Sequence, residues 1–510
     1  MRIKSLTIKN FRGYLGETTV NFDKLTAFVG KNDIGKSSIL EALDVFFNDG
    51  KGVIKLDKDD VNVTAKANQD NEISIGVCFT DLPDKIIIDA TNETSLNCEY
   101  LLNAEGCLEI IKKYPNGGGA KVFIRAMHPT NPECSDLLLK KDAELRRIID
   151  SRQIPCEDRT RNAIMRASIW KHFSENLQLS SVDIDVTKGD TKSIWEKLQR
   201  YLPIYSLFQS DRKNSDGDSE VQDPLKEAVK EILQDEELQS TLHEVALTVE
   251  AKLREVSTRT LEKLREMSPD IAETLSPVIP PAQSLKWTEV FKNVSIASDE
   301  NIPINKRGSG TKRLILLNFF RAEVERRQGM ANAASVIYAI EEPETSQHSD
   351  NQKKLIQALM ALATAANTQV IITTHSATIV KKLGYSNIRL IRMDEGQKIV
   401  ECALPNRLPY PSLNEVNYIA FSEISEEYHD ELYGYIKEQK LLGAYKQGKQ
   451  MIRYIQVDDK NGVPFDKQLT QTEYIRHQIH HPENKHNPRF SEADLRTSIE
   501  LMRAFIQAQS

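Results

Sequence analysis

The stretch GKNDIGKSS, residues 30–38, has the spacing G-x-x-x-x-G-K-[ST]. Each position in that pattern has a physical task. Gly30 and Gly35 let the backbone curl around an anion, and the loop N–H groups and the helix behind them present partial positive charge. Lys36 is expected to reach the β- and γ-phosphates of a nucleotide and Ser37 to ligate Mg²⁺. Asn32 and Ser38 lie in the same loop and join the expected nucleotide contacts.

Two further segments carry groups suited to phosphate chemistry. VIYAIEEPETSQHSD, residues 336–350, runs from an apolar strand into carboxylates. Glu341 is placed to hold Mg²⁺, and Glu342 to polarise an attacking water. Pro343 stops the strand, so both acids fall at its C-terminal edge, where ligands bind in α/β sheets. VIITTHS, residues 370–376, ends another apolar run in His375, a candidate to contact the γ-phosphate and sense its loss. A fourth segment, IRHQIHHPENKHN at 475–487, gathers His477, His480, His481 and His486 behind Arg476.

The surrounding pattern supplies elements to position these groups. Leu25–Val29 is a short apolar run ending in Gly30, and Ile39, Leu40, Leu43, Phe46 and Phe47 share a helical face. Residues 71–130 alternate as an antiparallel meander, with turns at NAEG and PNGGG. From about 134 to 275 the pattern is helical and charged, broken by an Asp- and Ser-rich loop at 208–224 and closed by SPVIPP at 276–281. A helix over 314–327, a strand at 336–340, a helix over 352–365 and a strand at 370–373 follow, then a hairpin around DEG and a mostly helical remainder.

Composition narrows the class. The 510 residues are 40% hydrophobic and 28% charged, enough for a large core. No apolar run is long enough to span a bilayer, and the N-terminus lacks a signal-peptide core, so a cytoplasmic location without membrane contact is expected. The six scattered cysteines, without a CxxC pair, read as reduced structural thiols. A net charge of −7 excludes a chain-wide basic footprint for nucleic acid. Local clusters at Arg146, Arg147, Arg152, Arg159, Arg161 and Arg166, and at Lys306, Arg307, Lys312 and Arg313, read as solvated faces.

The three phosphate-type motifs, in this order and with the long interval between the first two, resemble the ABC-type ATPase heads of RecF and SMC proteins. The opening IKSLTIKNFRGY is similar to that family as well, which makes Arg12 a nucleotide contact by resemblance. RGSGTKRLILLNFF at 307–320 resembles its signature loop. Ser309, Gly310, Thr311 and Lys312 would then touch the γ-phosphate held by a second head, and ATP would be bound with Mg²⁺ between paired heads. The loop departs from the Gln-ended signature of transporters by carrying Lys312. The resemblance implies an α/β P-loop head split by a helical arm: an N-terminal lobe over 1–130, the arm over 131–281, a C-terminal lobe over 282–400 and a helical appendage over 401–510.

IEEPE and TTHS resemble the OLD and Septu branch of this group, found in antiphage defence, and residues 202–229 resemble retron-associated and Septu ATPases. That likeness implies an ATPase controlling a separate effector nuclease of HNH type. A reverse transcriptase and non-coding RNA would be further partners in a retron, and the arm could meet nucleic acid. Downstream of His375 there are DEG and VDDKNGVPFD but no D-x-D of the kind a fused Toprim nuclease needs.

The histidine cluster admits three readings. One is a metal site through His477 and His481, weakened because Pro482 disfavours helical geometry at His481. Another is ribonuclease chemistry, since Arg476 and His481 resemble the R-x4-H motif of HEPN ribonucleases. The third is the turn of a helical docking hairpin. A self-contained RNase and a RecF-like DNA-repair ATPase stand as alternative functions.

Overall fold

The computed structural model describes residues 1–50, 52–88, 93–187, 191–209, 229, 232–267, 287, 335–345, 349–394, 396–407, 410–457 and 463–509. The expected signature residues Ser309, Gly310, Thr311 and Lys312, the basic cluster around them and the helix expected over 314–327 lie outside these. So do SPVIPP and nearly all of the 208–224 loop.

Two six-stranded sheets form the head. The first is antiparallel, in the order β2-β1-β4-β7-β8-β9, from β1 (Arg2–Lys9), β2 (Thr18–Asn21), β4 (Glu72–Thr80), β7 (Leu108–Pro115), β8 (Lys121–Pro129) and β9 (Leu179–Asp185). A small pair, β5 (Ile86–Ile87) and β6 (Glu93–Thr94), lies apart from it. The second sheet has the order β10-β11-β12-β3-β13-β14, from β3 (Leu25–Val29), β10 (Ile204–Phe208), β11 (Val336–Glu341), β12 (Thr368–Thr374), β13 (Ile388–Asp394) and β14 (Gln397–Cys402). Its first five strands are parallel, and β14 closes the edge as an antiparallel hairpin with β13.

Burial follows from sequence. All residues of β3 and β12 are buried, as expected of central parallel strands that read as continuous apolar runs. Helix α1 (Lys36–Phe47) packs its Ile39, Leu40, Leu43 and Phe46 face into a core shared with the antiparallel sheet. Each such side chain contributes about 1.5–3 kcal/mol by leaving water, so the loop feeding α1 is anchored at both ends. At the C-terminal end of the helix Phe47 stacks on Tyr205 at 5.3 Å, and Tyr205 Oη donates to Leu40 O at 2.6 Å. The two sheets are also clamped by one side chain: Gln369 of β12 accepts from Ile3 N–H and donates to Ile3 O, both at 2.9 Å.

The structure moves much of the span expected as arm into the head. Strand β9 pairs with β8, and β10 pairs in parallel with β11. Between β8 and β9, helices α3 (Asp142–Arg152) and α4 (Asn162–His172) insert Leu145, Ile149, Met165, Ile169 and Trp170 into the head core; α2 (Val63–Ala67) is a short helix further upstream. Charged residues along α3, and the basic run leading into α4, masked the apolar stripe. Arg166 departs from the solvated reading: it is 2% exposed and forms a bidentate pair with Glu99 at 2.8 and 2.9 Å. Arg146, Arg152, Arg159 and Arg161 instead make exposed ion pairs with nearby acids. Beyond α5 (Thr191–Leu198) and β10, the longest described element of the arm is the helix α6 (Glu236–Met267).

Helices α7 (Ser349–Thr364), α8 (Ala377–Val380) and α9 (Leu413–Phe421) cover the other face of the parallel sheet. The C-terminal part is less purely helical than its sequence pattern. Helices α10 (Glu426–Glu438), α11 (Leu442–Lys446), α12 (Gln471–His480) and α13 (Glu492–Gln509) are interrupted by a hairpin of β15 (Met451–Val457) and β16 (Pro464–Thr470). Only Tyr454 and Leu469 of that hairpin bury apolar surface fully, too few to write a clear period-two pattern.

Inside this C-terminal core, His429 is fully buried, with Nε2 3.0 Å from Ser498 Oγ, which donates to Thr472 Oγ1 at 2.8 Å. Burial lowers its pKa to about 4. The neutral ring is therefore favoured on folding, and the unfolded chain takes up more protons between about pH 6.5 and 4. Stability is full above that window and falls by about 3 kcal/mol as pH drops through it. Denaturant unfolding followed across this range should show a shallower pH slope in His429→Gln than in wild type.

Candidate functional site: a phosphate loop, two carboxylates and a histidine

Strand order explains how distant segments meet. In the parallel sheet β12 lies between β11 and β3. Glu341 stands opposite Thr373, and Thr374 opposite Val29. The C-terminal ends of three adjacent strands are therefore level, and the phosphate loop, the acidic turn and His375 emerge side by side. They line a cleft of about 600 Å³ together with Arg12, Asn32, Asp33, Gly35, Ser38, Glu41 and Lys398.

The loop is shaped for an anion. Gly35, the N-cap of α1, has φ 105°, and α1 carries no side-chain cap. Its first N–H groups are thus free of competing side-chain acceptors at the positive end of the helix dipole. A Cβ on Gly30 would approach the Ile391 carbonyl oxygen to 2.7 Å, so only glycine allows the loop to pass this close to β13. Lys36 Nζ donates to Gly30 O at 2.8 Å and Lys31 O at 2.9 Å. Burial lowers its pKa, against the opposing pull of Glu342, Glu344, Asp33 and Glu341.

Ser37 Oγ donates to Glu341 Oε1. A hydroxyl and a carboxylate brought together across the sheet form a hard oxygen donor pair, the kind Mg²⁺ takes while keeping several waters. The residues present therefore fit that ion.

Glu342 sits at φ 41°, a sparsely populated region for a non-glycine residue. The kink is held by its N–H, which donates to Thr373 O and Thr373 Oγ1, each at 3.1 Å. Backbone strain of this kind recurs at functional sites. Here it turns the Glu342 carboxylate to 3.3 Å from His375 Nδ1.

Several participants were not singled out from sequence. Glu344, the third acid of IEEPE, is 4% exposed and accepts from Thr374 Oγ1 at 2.7 Å and the His375 N–H at 2.8 Å, so it fixes the histidine turn. Its place two residues past the acidic pair was visible, but not its burial. Arg12 does reach the cleft, where Asp60 and Glu41 hold its guanidinium. Tyr14 Oη donates to Gly35 O at 3.1 Å. Lys398 comes from β14, far along the chain and without a motif.

The C-terminal histidines take different polar and aromatic partners, although the His477 and His481 rings stack with their centroids 6.1 Å apart. His480 Nε2 lies 2.7 Å from Asp430, which also holds Arg476 Nε at 3.2 Å, and Arg476 lies on the Tyr433 ring. His477 faces Tyr454 at 5.2 Å, and His481 faces Glu483. Among the described residues, no hydrogen bond or ion pair joins Arg476 to His481. Nor does any group of three or more His, Cys, Asp or Glu form a metal site among them. His481 caps α12 at φ −126°, consistent with the restriction ahead of Pro482. The segment is a helix end and turn leading to α13.

A phosphate loop and acidic strand end at the C-terminal edge of a parallel sheet define a P-loop ATPase head of α/β class. The chain belongs to the AAA ATPase domain family, whose model matches residues 1–380. It is an ATPase with a nucleotide-binding site. Among solved structures, an SMC head bound to the C-winged helix domain of ScpA is 14% identical with a TM-score of 0.34, covering 79% of this chain and 98% of that one. The SMC head domain from Thermotoga maritima is 12% identical with a TM-score of 0.32, covering 79% and 99%. No curated protein matches the chain significantly. Among the described residues no helix is long and apolar enough to cross a membrane.

Proposed function

We propose that the chain hydrolyses Mg²⁺-ATP between two paired heads and that this cycle controls a separate effector nuclease in antiphage defence. The observation that carries the hydrolytic reading is the convergence of Lys36, Ser37, Glu341, Glu342 and His375 at one sheet edge. The loop N–H groups and Lys36 hold the phosphates. Ser37 and Glu341 hold Mg²⁺, which would neutralise phosphate charge. Glu342 orients the attacking water and accepts its proton, and His375 steadies Glu342 while facing the γ-phosphate.

Pairing of heads is supported by exposure. The side chains of Glu342 and His375 remain 26% and 44% exposed, whereas a hydrolytic site gains from excluding bulk water. A second head would close that face, and by family resemblance its Ser309 loop would touch the nucleotide. The effector and defence roles are supported by the resemblance of IEEPE, TTHS and residues 202–229 to Septu and retron-associated ATPases.

Two measurements test this reading. ATP turnover per chain should rise with protein concentration and plateau as heads pair; a constant rate from nanomolar upward would remove the pairing step. Plaque counts on cells expressing the chain with its neighbouring genes should show protection that Lys36→Ala abolishes. Equal protection by the variant would remove ATP control from the defence role.

A further inference from the structure

Lys398 occupies a position the proposed mechanism does not use. It lies on the edge strand β14, yet its ammonium lines the nucleotide cleft beside Gly35, the N-cap of α1. A Cβ on Gly35 would stand 3.0 Å from Lys398 Nζ, and the ammonium sits 5.4 Å from the centroid of the Tyr14 ring. Gly13 makes room for it. A Cβ there would come within 2.8 Å of Lys398 Cε and collide with Nζ, although the backbone at Gly13 is not left-handed. Glycine at this position thus answers a need for space created by the lysine.

The placement is electrostatically odd without an anion. Partial positive charge from the first turn of α1 and the ammonium of Lys36 lie in the same cleft, and cations are disfavoured at helix N-termini. Burial lowers the pKa of Lys398, and Asp33 only partly opposes this. Among the described residues the Lys398 ammonium forms no ion pair or hydrogen bond. Asp33, Glu41, Glu341 and Glu342 line the same cleft, but none is ion-paired with the Lys398 ammonium among the described residues, and a polyphosphate would give it a direct anionic partner.

We propose that Lys398 is a further phosphate-binding residue of the nucleotide site, reaching in from β14 across Gly13 and Gly35 to the polyphosphate chain. The inference rests on the ATPase reading of the same cleft. It makes the last hairpin of the head part of nucleotide recognition and gives Gly13 a defined role.

The test is equilibrium binding of ATP, inorganic tripolyphosphate and adenosine to full-length wild type, Lys398→Ala, Lys398→Arg and Gly13→Ala, with Lys36→Ala as control. Lys398→Ala should weaken ATP and tripolyphosphate in parallel, by roughly tenfold, as expected for one charge-assisted contact. Adenosine binding should not change, and Lys398→Arg should keep most of the affinity. Gly13→Ala should reproduce the loss with an unchanged thermal midpoint, because the added methyl meets only the mobile end of the lysine. Wild-type ATP affinity in Lys398→Ala would overturn the proposal. So would a loss seen for ATP but not for tripolyphosphate, which would place the lysine on base or sugar. Failure of wild type itself to bind ATP would overturn the site reading and this inference with it.

Discussion

Lys36→Ala should lower ATP affinity by on the order of 100-fold or more, because two charge-assisted phosphate contacts are each worth about 1.5–3 kcal/mol. The chain should remain folded. Lys36 is 5% exposed, but among the described residues its ammonium bonds only to the loop carbonyls of Gly30 and Lys31, while the strand and helix beside the loop are held by apolar packing. Alanine also removes a cation from a cleft lined by Glu341 and Glu342. Repulsion between those acids and the phosphates is then less fully opposed, which makes the loss larger than contact counting suggests. Titration calorimetry with ATP, alongside circular dichroism, measures both halves of the expectation. ATP binding at wild-type affinity would show that the loop is not the phosphate site.

Glu342→Gln should separate binding from turnover. Glutamine is nearly isosteric, can keep its contact with His375 and can occupy the same φ of 41° held by Thr373. What it cannot do is accept the proton of the attacking water. Loss of a general base costs about 10²- to 10⁴-fold, so kcat should fall by that factor while the affinity for ATP changes little. If nucleotide pairs the heads, the variant should accumulate in the paired form under ATP, visible as a shift in light scattering. Hydrolysis at the normal rate would mean that another group orients the water.

The difference between these two variants was legible from the residues alone. GKNDIGKSS between an apolar run and an amphipathic run specifies a phosphate loop, since each residue type has a local physical task. IEEPE and TTHS at strand ends were readable for the same reason: a fully apolar strand must be central, and ligands gather at the carboxyl ends of central parallel strands. Contacts made by isolated side chains were not legible. Lys398 has no neighbours in sequence that mark it, and Glu344 looks like one more acid in a solvated turn. Arg166 reads as a surface charge because nothing local announces that Glu99 will meet it in the core.

The boundary between head and arm failed for a related reason. Helix α3 is charged along most of its length, α4 follows directly on the basic run that ends at Arg161, and strand β10 is only five residues long. Local pattern assigns such segments to a solvated insertion. Pairing of β9 with β8 and of β10 with β11 is a non-local event, decided by which edges remain open after the central strands assemble.

By itself the sequence determined the groups this chain can offer: a glycine-framed loop with a lysine, a hydroxyl, two carboxylates and a histidine, each set by residue type and short-range spacing. The tertiary structure alone decided that these groups share one cleft. Placing β12 between β3 and β11 brings residues from opposite parts of the chain level at one sheet edge. It also gave the conspicuous histidines of 475–487 different acidic and aromatic partners, while His477 and His481, four residues apart, stay on one face with their rings stacked.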